Sequence, residues 1–335
     1  MFLMKNIVVT GGAGYIGIHT IIELISKGYN PIIIDNLCNS SIDNIKGAEK
    51  ITKKKIKWYK KDCTDGEIME NIFKNEKNIF AVIHFSAFKS VEESVRDPEK
   101  YYKNNVGSLE VILDCMKKYN VQNIIFSSSC TVYGNPDILP VDEKAIFKKA
   151  ESPYGETKQI CENIIAKNSF NSVSLRYFNP IGCHHTGLIG DCSYDKPNNL
   201  VPIITEVAIG KRKKIIIFGN DYKTNDGTCI RDYIHVCDLA NSHVKALNFL
   251  NKNAGKHVFN IGTGKGLSVL NIVKKFEEVN KVKINYSIGP RRDGDIAEIY
   301  ANGELAKNKL GWMSKKNIEE SLISAWNWEK KKRKL

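Results

Sequence analysis

The stretch Val8–Gly17, VVTGGAGYIG, ends an apolar β-branched run on a cluster of glycines and opens a helix-like pattern. Its glycines fit G-x-G-x-x-G as Gly12, Gly14 and Gly17, and equally G-x-x-G-x-x-G as Gly11, Gly14 and Gly17. Such a loop permits a tight turn and lets backbone approach a pyrophosphate, while the helix N-terminus that follows favours the anion. Alone the motif is weak, because a structural turn can carry the same glycines. Its surroundings strengthen it. A second apolar run, PIIID, delivers Asp35 eighteen residues after Gly17, where a carboxylate accepts from adenosine ribose hydroxyls. That carboxylate repels a 2′-phosphate and no arginine follows it, so the expected cofactor is NAD rather than NADP.

Outward from this loop, short apolar runs (NIVVTG, PIIIDN, KWYKKD, FAVIHFSA, NIIFSSS) alternate with helical patterns over 15–28, 65–77 and 98–119. Alternation at this spacing predicts βαβ units and a parallel sheet, and continuous apolar strands predict helices on both faces. The expected fold is α/β, a Rossmann-like doubly wound parallel sheet with a smaller substrate-binding domain. After residue 178 the pattern loosens into loops at 179–200 and 219–232, then returns with the helical VCDLANSHVKALNFL and the strand KHVFNIG. The expected partition is therefore 1–178 plus 233–261 for the NAD-binding domain and 179–232 plus 262–335 for the substrate domain.

The chain has 335 residues, 42% apolar and 26% charged, the balance of a soluble globular protein with a substantial core. No apolar run reaches membrane-spanning length, and MFLMKNIVVTGG runs straight into a strand, so a cytoplasmic protein is expected. Nine cysteines without a C-x-x-C pair predict free thiols in a reducing compartment. The formal charge of +13 lies largely in lysine runs at 53–55, 211–214 and the C-terminus. Without interleaved aromatics these read as solvated lysines, so neither nucleic acid nor membrane is an expected partner. The adjacent His184 and His185 lack a carboxylate-rich ligand set, so a polar loop role is expected and no metal.

Two further stretches belong with the glycine loop: FSSSCTVYG, residues 126–134, and SPYGETK, residues 152–158. Strand C-termini of a doubly wound sheet face the ligand crevice, which places Ser127–Thr131 beside a nicotinamide. Tyr154 and Lys158 stand at i and i+4, on one helix face. An isolated pair of this kind is usually an exposed helix surface. Beside a cofactor loop and a hydroxyl cluster it becomes a proton-transfer device. A phenol titrates near 10, and bringing it near 7 takes about 4 kcal/mol of favourable charge interaction. Lys158 and a positive nicotinamide are the expected sources, with Ser129 or Thr131 sharing the substrate hydroxyl.

These motifs, together with DNLCNS, VIHFSA, YYKNNV, LRYFNPIG, PNNLVP, IFGNDY, DGTCIRDYIHVCDLA and RRDGD, resemble UDP-galactose (UDP-glucose) 4-epimerases, nearly end to end. That family lies in the extended short-chain dehydrogenase/reductase superfamily. The resemblance implies interconversion of UDP-glucose and UDP-galactose through a transient 4-keto sugar, with the hydride stored on tightly bound NAD. It implies Tyr154 as the acid–base, supported by Ser129, Thr131 and Lys158. For NAD it implies Gly11, Gly14, Tyr15, Ile16, Gly17, Asp35, Asn36, Asn39, Ser40, Asp62, Cys63, Phe85, Lys89, Asn104 and Tyr177, besides Tyr154 and Lys158. For the UDP-sugar it implies Ser129, Tyr154, Asn179, Asn199, Leu200, Phe218, Arg231, Tyr233, Arg292, Asp295 and Ile299. It also implies a homodimer through helices near 98–119 and 153–168.

The residue types suit these roles: Arg231 and Arg292 are charged forks for a diphosphate, and Asp295 can accept from ribose hydroxyls. Cys130 and Ser86 depart from the family's usual alanines, both small. Ile299 stands where some members carry a bulky tyrosine and others smaller residues that accompany acceptance of N-acetylated sugars, so UDP-GlcNAc is left open as a substrate. A 4,6-dehydratase needs an acid and a base directly after the active-site threonine, whereas Val132 and Tyr133 follow Thr131. A UDP-pentose 4-epimerase or decarboxylase remains an alternative, and a non-catalytic NAD- and RNA-binding protein a more distant one.

Overall fold

The apolar runs of the first half become adjacent parallel strands in the computed structural model, which describes residues 5–192, 197–292 and 294–333. In chain order they are β1 (Asn6–Thr10), β2 (Asn30–Ile34), β3 (Lys57–Tyr59), β4 (Ile79–His84), β5 (Asn123–Ser129) and β6 (Asn171–Tyr177). A late strand, Lys256–Ile261, completes a seven-stranded sheet as the outer neighbour of β6, with the order continuing β6, β5, β4, β1, β2, β3. Every pairing in it is parallel. The order reverses between β1 and β4, and a doubly wound sheet opens its ligand crevice at the strand C-termini of that point.

Alternation along each strand splits its side chains between two buried faces. Ile7 and Val9 of β1 pack with Ile18, Ile21 and Leu24 of the helix Tyr15–Ser26 and with Leu239 and Leu247 of the helix Val236–Leu250. Val8 faces the other way, onto Met69, Phe73, Leu109 and Ile112 of the helices Gly66–Asn75 and Gly107–Lys118. Because both faces are covered, the strands carry continuous apolar runs.

The helical pattern over 98–119 is interrupted in the structure. It consists of Pro98–Tyr101, a π-helical turn Tyr102–Val106, and Gly107–Lys118. The wide turn serves two neighbouring amides at once: Asn104 faces the crevice, while Asn105 holds the backbone of Phe88 by both its N–H (2.8 Å) and its carbonyl (3.0 Å).

Strand Ile230–His235 pairs with Asn179–Ile181 and Glu298–Ile299 in parallel and with Gly266–Ser268 antiparallel. A separate parallel pair joins Ile215–Phe218 to Tyr286–Gly289. These segments share a core of Ile181, Ile204, Ile217, Tyr233, Phe276 and Leu322. The helix Val236–Leu250 and strand Lys256–Ile261 return to the large sheet, as the sequence pattern at those positions anticipates. All nine cysteines are free, and among the described residues no helix is long and apolar enough to cross a membrane.

Candidate active site

The glycine loop is built for close approach. Gly11 sits at φ +66, and a Cβ there would lie 2.8 Å from the backbone N of Ser86. A Cβ on Gly17 would lie 2.4 Å from the Gly11 carbonyl. The following helix begins at Gly14 with no side-chain cap, so its first N–H groups face the crevice without an internal partner. That is the donor set a pyrophosphate uses.

Asp35, at the end of β2, accepts from the Ala13 N–H (3.0 Å), the Leu37 N–H (2.9 Å) and the Ser40 hydroxyl (2.8 Å). One carboxylate oxygen takes two of these donors and the other takes one, which leaves acceptor capacity for a ribose hydroxyl. Asn36 donates to Asp62 at 2.8 Å. Asn44, which sequence reasoning missed, ties the loop to a distant segment: its amide donates to the carbonyls of Ala13 (3.0 Å) and Gly190 (3.1 Å), and its oxygen accepts from the Gly190 N–H. The Tyr15 hydroxyl donates to the Gly182 carbonyl, and Lys89 faces Asp191 at 3.9 Å. The 182–191 segment therefore straps the crevice from outside.

The crevice encloses about 280 Å³. All the residues expected to hold NAD line it: Gly11, Gly14, Tyr15, Ile16, Gly17, Asp35, Asn36, Asn39, Ser40, Asp62, Cys63, Phe85, Lys89, Asn104, Tyr154, Lys158 and Tyr177. Ser129, Asn179 and Asn199 line it too. Lys61, Phe88 and Ser108 also form its wall; each is near an expected residue in the chain, and Ser108 lies one turn beyond Asn104. The Oδ1 of Asn39, which lines the crevice, is buried without a hydrogen-bond partner, as an acceptor kept for a ligand would be; the Oγ1 of Thr131 is buried and unpaired outside that lining.

Ser152 caps the helix Pro153–Lys167 through the Gly155 N–H (3.2 Å), with Pro153 in its first turn. This start aims Tyr154 and Lys158 at the ends of β5. Lys158 Nζ donates to the Ser127 carbonyl at 2.7 Å and lies 5.9 Å from the centre of the Tyr154 ring. Ser129 and Tyr154 line the same crevice. Burial pushes the phenol up to about 12 against the pull of Ser129, and pushes the Lys158 ammonium down to about 8. The expected depression of the phenol is thus not produced by the protein's own groups, because burial outweighs the opposing pull of Ser129.

The other expected sugar residues stand outside the walls of this crevice. Arg231 and Arg292 converge on Asp295: Arg292 donates through Nε (2.9 Å) and Nη2 (3.1 Å), and Arg231 Nη2 stands at 3.6 Å. Asp295, expected as a ribose acceptor, is engaged by both arginines. The Arg292 guanidinium also lies over the half-exposed Phe218 ring at 4.8 Å. Tyr233 is in the second core, with Leu200 packed against that core. Ile299 is 2% exposed and clusters with Cys130, Tyr133 and Phe178. Val132 and Tyr133 are fully buried, and the Tyr133 hydroxyl donates to Asn260 (2.6 Å) and accepts from Arg176 (2.9 Å). His184 is held at its ring by the neighbouring Thr186 and at its backbone N–H by the distant His19.

A serine, a tyrosine and a lysine one helical turn beyond it, opening on a nucleotide crevice of this topology, define an extended short-chain dehydrogenase/reductase. The profile described as GDP-mannose 4,6 dehydratase matches residues 8–324. UDP-glucose 4-epimerase of Haemophilus influenzae is 46% identical, over 97% of each chain. The Drosophila melanogaster enzyme of that name is 44% identical over 97% of this chain and 96% of its own. The crystal structure of UDP-glucose 4-epimerase from Bifidobacterium longum in complex with NAD+ and UDP superposes with a TM-score of 0.95 at 45% identity, covering 98% and 99% of the two chains. The chain belongs to the UDP-glucose 4-epimerase family.

Proposed function

We propose that the protein interconverts UDP-glucose and UDP-galactose, with NAD as a retained cofactor, and that Tyr154 performs the proton transfers. The observation that carries this reading is the convergence of Ser129, Tyr154 and Lys158 on the crevice that begins at the uncapped glycine loop. NAD, when bound, supplies the hydride acceptor and donor and a positive ring beside the phenol. Gly11, Gly14 and Gly17 hold its pyrophosphate against the helix N-terminus, and Asp35 takes its adenosine ribose. Tyr154 removes the proton of the sugar 4-hydroxyl and returns it; because the C4 hydride that NAD would store is also returned, the reaction would be redox-neutral overall. Ser129 and Thr131 orient that hydroxyl. Lys158, fixed by the Ser127 carbonyl, keeps positive charge beside the phenol. Removal of water from the crevice strengthens each of these interactions.

UDP is assigned to the segments 179–232 and 262–335, and NAD to 1–178 with 233–261. Arg231 and Arg292 are the diphosphate ligands, released from Asp295 as substrate enters. Asp295 then accepts from the uridine ribose, Phe218 and Tyr233 flank the base, and Asn179, Asn199 and Leu200 complete the wall. The absence of an acid–base pair after Thr131 supports epimerisation over dehydration. A homodimer through the helices near 98–119 and 153–168 is part of the proposal, supported by the family resemblance. So is a cytoplasmic location, supported by the nine free thiols. The test is anaerobic incubation of the purified protein with UDP-galactose and no added NAD. UDP-glucose is the expected product, and its absence from NAD-loaded protein overturns the proposal.

A further inference from the structure

Behind the wall of the crevice lies His243, fully buried on the helix Val236–Leu250 and outside the set of expected site residues. Phe85 and Tyr177, which do line the crevice, cover it: its ring centre is 4.8 Å from that of Phe85 and 5.5 Å from that of Tyr177. Its Nδ1 lies 2.9 Å from the Leu239 carbonyl, and its Nε2 is hydrogen-bonded to the Tyr177 hydroxyl.

The tautomer follows from chemistry. A carbonyl only accepts, so Nδ1 carries the proton, and in a neutral ring Nε2 then has only a lone pair to offer. The ring is neutral, since burial drives its titration down to about 3. Tyr177 must therefore donate to Nε2, and its hydrogen is committed away from the crevice. The Tyr177 oxygen presents only lone pairs on the open side.

We propose that His243 is a positioning residue for the cofactor: by holding the Tyr177 hydrogen, it makes the Tyr177 oxygen an acceptor-only wall that receives an N–H donor such as the nicotinamide carboxamide. The chain of donors runs from Tyr177 to His243 to the Leu239 carbonyl. It ends on a group that takes no proton, so it orients without competing for the proton that Tyr154 moves. This inference rests on the assignment of the crevice to NAD.

The test compares five proteins, each purified with its cofactor: wild type, His243→Met, His243→Gln, Tyr177→Phe and the double variant Tyr177→Phe/His243→Met. Methionine keeps comparable volume without the ring's acceptor, whereas glutamine restores an acceptor near the position of Nε2. The expected result is NAD loss from His243→Met accelerated by several-fold to roughly tenfold, the scale of one hydrogen bond. Restoration toward wild type is expected in His243→Gln. In Tyr177→Phe/His243→Met the loss should be no faster than in Tyr177→Phe alone. Equal loss in Met and Gln variants, or additive effects in the double variant, overturns the proposal. Nitrogen-15 histidine spectra of the wild-type holoenzyme provide a readout independent of variant folding. A neutral, Nδ1-protonated His243 that does not titrate between pH 5 and pH 9 is expected; the other tautomer or a titrating ring overturns the assignment. Wild type purified without NAD, or unable to bind it, would instead refute the cofactor assignment itself.

Discussion

Lys158 donates its ammonium proton to the Ser127 carbonyl at 2.7 Å. The contact ties the Tyr–Lys helix to the end of β5 and holds the cation inside a crevice that disfavours it. Burial lowers its titration from 10.5 to about 8, a penalty of roughly 3 kcal/mol on the charged form.

Lys158→Met is accordingly expected to lose epimerase activity by orders of magnitude while raising the melting temperature. Removing the lost hydrogen bond of a charged donor, about 1.5 kcal/mol or more, from the relieved penalty leaves a net gain of roughly 1.5 kcal/mol at most. The sign in pH follows from linkage. The unfolded chain keeps this proton to about 10.5 and the folded chain only to about 8, so the penalty is fully present below pH 8 and shrinks as pH rises. Melting temperatures of cofactor-stripped wild type and variant should converge from pH 7.5 to 9.5. Parallel curves would exclude a charged Lys158 as the source.

Tyr154→Phe is expected to fold and retain NAD but to lose turnover by about 10²- to 10⁴-fold, the usual range for a positioned acid–base group. Conversion of UDP-galactose to UDP-glucose measures it. Undiminished turnover would remove Tyr154 from the mechanism.

Gly17→Ala places a methyl 2.4 Å from the Gly11 carbonyl, a backbone contact that no side-chain rotation relieves. The loop must shift, and the protein should purify with little NAD and a lowered melting temperature. Cofactor content after heat extraction, read against wild type, decides the point.

Arg292→Ala tests the sugar-nucleotide side. Arg292 is half-exposed, so its pairing with Asp295 contributes little stability, and the melting temperature should move by less than 2 °C or so. Loss of a charge-assisted fork to a diphosphate should raise KM about tenfold or more, with kcat less affected. An unchanged KM would place the diphosphate elsewhere.

Ile299 is buried against Cys130 and Phe178, of which Phe178 lines the crevice. Ile299→Ala is expected to raise the rate of UDP-GlcNAc turnover relative to UDP-galactose. The same change should destabilise the protein by about 2–5 kcal/mol. Robust UDP-galactose activity without UDP-GlcNAc turnover in either form would assign the limit on sugar size to another residue.

What could be read from the chain were features of short range. Apolar runs in β1, β2, β4 and β5, the glycine spacing, the Ser152–Pro153 helix start and the four-residue step from Tyr154 to Lys158 all lie within a few residues of one another. Local sterics, capping and periodicity act over those distances, so they leave a mark in the sequence. Tertiary structure decided the rest. The Asn44 clamp on Gly190 spans 146 residues, and the His243 contact with Tyr177 spans 66. Within the π turn at Tyr102–Val106, Asn104 faces the crevice while the adjacent Asn105 holds the backbone of Phe88. The direction of the Tyr154 and Lys158 shifts was set by burial, which belongs to the assembled crevice. Hydrogen-bond partners and desolvation depend on what the fold brings near a residue, and the order of residues alone does not contain that distance.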